Sequence, residues 1–272
     1  NKGVSKPAET RREREARLAD RGWRNWRRRL HVSRLQQLTE YELAGVLLMP
    51  SLKSAETFTA AGFPEQRLHY VGRGVDLERY HPSGEIRDKF RAVFVGSLIR
   101  RKGVHHLLAA WRKLALKDAE LVLVGTVHDE IKGMLDGLAT SNVRLAGFSS
   151  SVQDELRRAT VFVFPSECEG FAKATIEAAA CGLPLIATRE SGDAIVDGET
   201  GWLIPPSDPD AIAAALAQAA AQPDEVRARG ARARLRVERL FTWGHYRSRI
   251  LQAYRLASRR TGIAAGDQVL VK

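Results

Sequence analysis

Two glutamates sit where they could grip a ligand. Glu169 falls in Pro165-Ser166-Glu167-Cys168-Glu169-Gly170-Phe171, a turn between an apolar run and a stretch of helical spacing. Glu177 lies two turns into that stretch, on which Ile176, Ala180 and Leu183 supply an apolar face. The first N–H groups of such a helix, here those of Phe171 to Thr175, have no intrahelical acceptor, so the end favours an anion. Carboxylates accept hydrogen bonds from paired sugar hydroxyls. Two of them flanking an anion site suit a sugar–phosphate–sugar ligand. Spacing alone leaves a plainer alternative open: Glu169 as a favourable charge at a helix start, and Glu177 as an exposed helix residue.

A second stretch offers the opposite charge. Gly96-Ser97-Leu98-Ile99-Arg100-Arg101-Lys102-Gly103 follows a buried-strand pattern and precedes a helical one. Glycine lets a ligand approach the backbone. Arg101 and Lys102 could neutralise a diphosphate. Cations at the start of a helix oppose its dipole, which points to an anionic ligand beside them. The stretch lacks the Lys-Ser/Thr pair of a Walker loop, and Gly72-Arg73-Gly74 lacks the third glycine of a dinucleotide fingerprint. His105 and His106 are adjacent and read as ordinary helix residues. Cys168 and Cys181 make neither a zinc pattern nor a disulfide framework, so no metal site is expected.

Positioning these loops requires a sheet. Candidate strands cover 46–49, 68–71, 92–96, 121–125, 143–147, 161–165, 184–188 and 202–205. Several are near-continuous Val, Ile, Leu or Phe, as in parallel strands buried on both faces. Helical stretches at 102–116, 129–139, 151–159 and 171–181 alternate with them, followed by helices at 210–221, 225–240 and 242–256. The expected class is α/β, a Rossmann-like open parallel sheet with helices on both faces, which binds ligands outside the carboxyl ends of its strands.

The 272 residues carry 44% hydrophobic residues and a formal net charge of +11. Such a charge favours anionic partners. Residues 8–34 are rich in Arg and hold Trp23 and Trp26. They read as a basic helix: a solvated face, a face packed on a partner, or a contact with an anionic membrane surface. No nucleic-acid recognition motif and no bilayer-spanning apolar run is present, and the N-terminus does not read as a signal peptide. The expected setting is cytoplasmic, with peripheral membrane association as an added possibility.

In order along the chain, these residues resemble the retaining glycosyltransferases of GT-B fold, the group that includes glycogen and sucrose synthases and bacterial mannosyltransferases. Gly74-Val75-Asp76-Leu77-Glu78-Arg79-Tyr80-His81-Pro82 is similar to the family's interdomain linker. Val93-Phe94-Val95-Gly96 with Lys102-Gly103 resembles its phosphate loop, Gly147-Phe148 with Glu155-Leu156 its base-side strand and helix, and Glu169 with Glu177 its paired glutamates. The closing strand matches Gly198-Glu199-Thr200-Gly201-Trp202-Leu203-Ile204-Pro205-Pro206, and Phe241-Thr242-Trp243 opens the final helix.

The resemblance implies transfer of a sugar from a UDP-, GDP- or ADP-sugar, with retention of configuration and without metal or cofactor, to an unknown glycan or lipid-linked acceptor. It implies that Arg101 and Lys102, with Gly96 and Ser97, hold the diphosphate. Glu169 and the backbone of Gly170, Phe171, Ala172 and Lys173 face the donor sugar, Glu177 holds the ribose and Phe148 lies near the base. Departures from the pattern are Ser97 for Arg, Ala172 for Gly, Arg73 for Asn, and Asp193-Ala194 for Pro-Glu.

The implied organisation is a partial acceptor-side domain over 1–75, a donor domain over 76–258 and a tail over 259–272. Residue 1 is Asn, and the acceptor-side portion is short, so the expectation is a truncated enzyme with little activity alone. A non-catalytic nucleotide-sugar-binding module is the alternative.

Overall fold

The computed structural model describes residues 36–84, 89–135 and 142–261. The basic segment 8–34 and the tail beyond 261 lie outside them. Residues 36–43 are helical (α1). The chain separates into two compact units at Leu47/Leu48, and the second of these carries the sheet.

The centre of this second unit is six-stranded and all-parallel. The strands are β3 (Phe90–Val95), β4 (Ala119–Val124), β5 (Val143–Gly147), β6 (Val161–Phe164), β7 (Leu185–Ala187) and β8 (Gly201–Leu203), in the order β5-β4-β3-β6-β7-β8. The expected class is thus observed. The chain runs outward from β3 to β5, crosses back, and runs outward again from β6 to β8. The strand order therefore reverses between β3 and β6. In open α/β sheets that switch point is the ligand crevice. The loops after β3 and β6 are the two singled out from sequence.

Residues Val161-Phe162-Val163-Phe164 explain why β6 is central. All four are essentially inaccessible. Fully burying side chains of this size stabilises by about 1.5–3 kcal/mol each relative to exposure. A strand with such side chains on both faces needs helices above and below it. These are α3 (Val104–Leu114), α4 (Asp129–Leu135), α5 (Val152–Arg158), α6 (Lys173–Ala180), α7 (Pro209–Ala221) and α8 (Pro223–Leu240). α3 packs on α7, and α6 on α8. Alanine serves this packing: Ala178, Ala179 and Ala180 of α6 and Ala213, Ala215 and Ala219 of α7 are buried.

Before the sheet, β1 (Leu47–Met49) and β2 (Leu68–Tyr70) pair around α2 (Leu52–Ala60). The last helix, α9 (Trp243–Thr261), returns to this layer. Val75 N–H donates to the Phe241 carbonyl at 2.8 Å. The Arg249 guanidinium lies over the Tyr70 ring at 5.1 Å.

Element boundaries differ at the two loops that matter. The helix expected from 102 starts at Val104, because Arg100–Lys102 forms a 3-10 turn ended by Gly103 at φ 69°. The helix expected from 171 starts at Lys173. Ala172 is instead extended against the loop after β7, where its N–H donates to the Ser191 carbonyl at 3.0 Å.

Candidate functional site at the strand-order reversal

β3 is followed by Gly96, whose φ of 151° suits glycine; a Cβ there would lie 3.1 Å from Lys102 Nζ. The 3-10 turn then directs Arg101 and Lys102 back over the end of β6. Lys102 Nζ stands 5.4 Å from the Phe164 ring centroid. It lies 3.8 Å from Glu169 Oε1, which also accepts from Arg101 Nη1 at 3.1 Å. Arg101 Nη1 further donates to the Cys168 carbonyl. The cations are therefore not isolated at a helix start. Glu169 answers both, and a diphosphate entering here would share or displace that carboxylate. Arg101 is half exposed, whereas Glu169 and Lys102 are mostly covered.

The loop after β6 is braced from below. Ser166 Oγ lies 3.2 Å from the Arg101 carbonyl and 3.3 Å from Glu169 Oε1. Buried Thr188 donates to the Ser166 carbonyl at 2.6 Å, and buried Ser191 to the Phe164 carbonyl at 3.1 Å. These hydroxyls satisfy loop carbonyls that strand pairing leaves over, which holds Glu169 in one place. The expected run of unpaired N–H groups from Phe171 to Thr175 is shorter than the sequence suggested. Ala172 N–H goes to Ser191, and Thr175 N–H to the Ala172 carbonyl. The N–H groups of Lys173 and Ala174 start the helix with no acceptor among the described residues.

Glu177 is not the exposed residue of the plainer alternative. It is mostly buried, and burial pushes its carboxyl above the usual range, opposed by Lys173 and by hydrogen bonding to Tyr80. Lys173 Nζ stands 4.0 Å away. Burial, and next the Glu177 charge, push the Tyr80 hydroxyl up to about 12. Tyr80 belongs to the linker-like segment, and its carbonyl accepts from Arg234 Nη1 at 2.8 Å. Sequence reasoning missed this tyrosine as a partner of Glu177. Its place in Gly74–Pro82 was the available signal.

Phe148 follows β5 and is 85% exposed. β5 is an edge strand two positions from β3, about 10 Å across the sheet. The structure thus places Phe148 at the same sheet end as Gly96 and Glu169, but not in their cluster. Ser97 follows Gly96 and is half-buried.

The first turn of α2 meets this site from the other side. Ser54 Oγ donates to the Gly170 carbonyl at 3.3 Å. Leu52 N–H lies 3.1–3.2 Å from both carboxylate oxygens of Asp193. Burial raises the Asp193 carboxyl, opposed first by that N–H and then by Tyr70. The departure Asp193-Ala194 thus has a local structural role: Asp193 receives the start of α2.

In this parallel α/β sheet a cationic loop and a carboxylate loop meet at the strand-order reversal, the place where open sheets of this class form their ligand crevice. The sequence profile of glycosyl transferases group 1 matches residues 89–222. The MMP alpha-(1->4)-mannosyltransferase of Mycolicibacterium hassiacum is 30% identical, over 92% of this chain and 64% of that protein. An alpha-maltose-1-phosphate synthase of Mycolicibacterium smegmatis is 31% identical, over 71% and 57%. Among solved structures, Anabaena HepE in complex with UDP and glucose superposes with a TM-score of 0.70 at 19% identity, over 78% of this chain and 63% of that one. The sucrose-phosphate synthase of Thermosynechococcus elongatus gives 0.68 at 26%, over 78% and 58%. Residues 89–222 thus match the group 1 glycosyl transferases, and the sheet has the GT-B fold of these solved structures. The chain spans about 60% of the length of these relatives.

Proposed function

We propose that this chain binds a nucleotide-diphosphate sugar, carrying UDP, GDP or ADP, and serves a retaining, metal-independent glycosyl transfer to a glycan or lipid-linked acceptor. The observation that carries the proposal is the meeting of Arg101, Lys102 and Glu169 where the strand order reverses. The names of the relatives, a mannosyltransferase and a maltose-1-phosphate synthase, support a sugar donor, as does the UDP and glucose of the HepE complex.

In this proposal, transfer breaks the bond between the sugar's anomeric carbon and the diphosphate, whose oxygen leaves with the electron pair; an acceptor hydroxyl oxygen forms the new bond to that carbon on the same face, and its proton passes to the leaving diphosphate. Arg101, Lys102 and the start of α6 stabilise that developing charge, the electrostatic contribution that is often the largest in catalysis. Glu169, with Gly170, Phe171, Ala172 and Lys173, faces the sugar; Gly96 and Ser97 line the phosphate side. Glu177 takes the ribose hydroxyls, and Phe148 the base. We assign these roles to a donor domain over 76–258, with 1–75 on the acceptor side and 259–272 as a tail. The six-stranded sheet of the described residues is Rossmann-like, so nucleotide binding is the measurement this chain is best suited to.

Calorimetry with UDP, GDP and ADP tests the proposal. One of them is expected to bind, and Lys102→Ala is expected to weaken it about tenfold or more, the loss of one charge-assisted contact. If none of the three binds, the donor-site proposal fails. Acceptor-dependent release of nucleotide separates the enzyme from a non-catalytic binding module.

The setting we propose is cytoplasmic, with peripheral attachment to anionic membrane through residues 8–34. Its support is their Arg and Trp content. Among the described residues no helix is long and apolar enough to cross a membrane. Flotation with anionic vesicles is expected to retain the intact chain and lose one lacking residues 1–34; equal retention removes the attachment.

A further inference from the structure

We propose that His105, His106 and Glu167 form a binding site for one divalent transition-metal ion of the zinc class. One ring nitrogen from each histidine and one carboxylate oxygen of Glu167 all lie within 4.8 Å of one another. Among the described residues, this is the one group of three such side chains that comes so close. The histidines occupy the first turn of α3, and Glu167 stands in the loop after β6. Their spacing along the chain therefore hid the set: adjacent histidines suggest no metal until the fold brings a carboxylate from another loop.

Three observations favour an ion over a simple polar cluster. His106 Nε2 already lies 3.3 Å from Glu167 Oε1, so nitrogen and oxygen face each other. The His105 ring is tilted by 37° against that of His106 with centroids 3.9 Å apart, which keeps both rings in one small volume. His105 Nδ1 is buried and has no hydrogen-bond partner. Buried polar atoms without partners are uncommon, and an ion is a standard partner for such an atom.

The donor set narrows the ion. Two imidazoles and one carboxylate suit zinc, cobalt, nickel or copper, whereas magnesium and calcium prefer oxygen alone. Zinc–ligand bonds of about 2.0–2.2 Å place tetrahedral ligands about 3.4 Å apart. Closing the set takes at most about 1.4 Å of side-chain movement, most readily by Glu167, whose side chain is more exposed than that of His106. Ser207 Oγ donates to the same Glu167 Oε1 at 3.1 Å and would help to fix the carboxylate. A bound ion would tie the first turn of α3 to the loop that holds Glu169.

Cobalt titration of the full chain gives a readout independent of any transfer activity. One equivalent of Co2+ is expected to bind with visible absorption, and Zn2+ to displace it and raise the melting temperature. His106→Gln and Glu167→Gln are each expected to weaken binding at least about tenfold, with melting in chelator unchanged. His128→Gln, at an exposed histidine elsewhere, is expected to bind as the parent does. Absence of one-equivalent binding, or binding that survives both Gln substitutions, overturns the site. If His106→Gln melts early without metal, Glu167→Gln alone decides the question.

Discussion

Replacing Glu177 by alanine is expected to weaken nucleoside diphosphate binding about 100-fold while leaving the chain folded. A carboxylate holding two ribose hydroxyls makes two charge-assisted hydrogen bonds, each worth about 1.5–3 kcal/mol. Losing both at the low end of that range removes about 3 kcal/mol, and each 1.4 kcal/mol is a factor of ten. The unliganded protein should tolerate the change, and the sign follows from the shifted carboxyl. Burial raises the folded-state pKa of Glu177 above its ordinary 4.5. The folded chain then holds this proton more tightly than the unfolded chain does. Stability from this group is full below the unfolded pKa and is lost as pH rises through the folded one. At neutral pH the buried charge is a cost that alanine removes.

The same shift sets the pH dependence of binding. Only the ionised carboxylate accepts from both hydroxyls, so affinity should fall as pH drops through the folded pKa, from a point above 4.5. Glu177→Gln keeps the shape and removes the titration. It should bind weakly with a flat profile in that range. Calorimetry across pH decides: parent-like affinity in both variants would remove Glu177 from the site. Tyr80 bears on the same experiment, because its hydroxyl holds Glu177 from the linker side.

The sheet was legible because its signal is local. Runs such as Val161–Phe164 and 121–124 are apolar on both faces, and parallel strands covered on both sides demand that. The strand order was not legible. Nothing in the residues of β3 or β6 states that they are neighbours, yet that adjacency makes two separate loops into one site.

The cations and glutamates stood out by type, but their pairing did not. From spacing, Arg101 and Lys102 called for an outside anion; in the fold, Glu169 already faces them. The supports were least visible. Ser166, Thr188 and Ser191 are small polar residues of the kind found in any loop, and only burial shows that they hold its carbonyls. Asp193 looked like a lost feature and proved to be a contact with α2.

Gly103→Ala is expected to cost at least about 3 kcal/mol and to abolish nucleotide binding, because this glycine joins both halves of the site. Its φ of 69° alone costs an L-residue about 1–2 kcal/mol. A Cβ there would also stand 2.0 Å from the Pro165 carbonyl oxygen and 2.8 Å from its carbon. Those are backbone atoms, so no side chain can swing away. Either the turn carrying Arg101 and Lys102 lifts, or Pro165 and the loop leading to Glu169 does. Each movement parts the groups that now lie 3.1 and 3.8 Å apart. Gly198→Ala is the control. Gly198 has a similar φ of 70°, and nothing lies within 4 Å of where its methyl group would stand, so only the left-handed conformation is charged against it. Urea denaturation of both variants isolates the clash as the difference between them. Equal losses would show that the contact with Pro165 relaxes freely, and retained nucleotide affinity in Gly103→Ala would show that the two loops need not be held together.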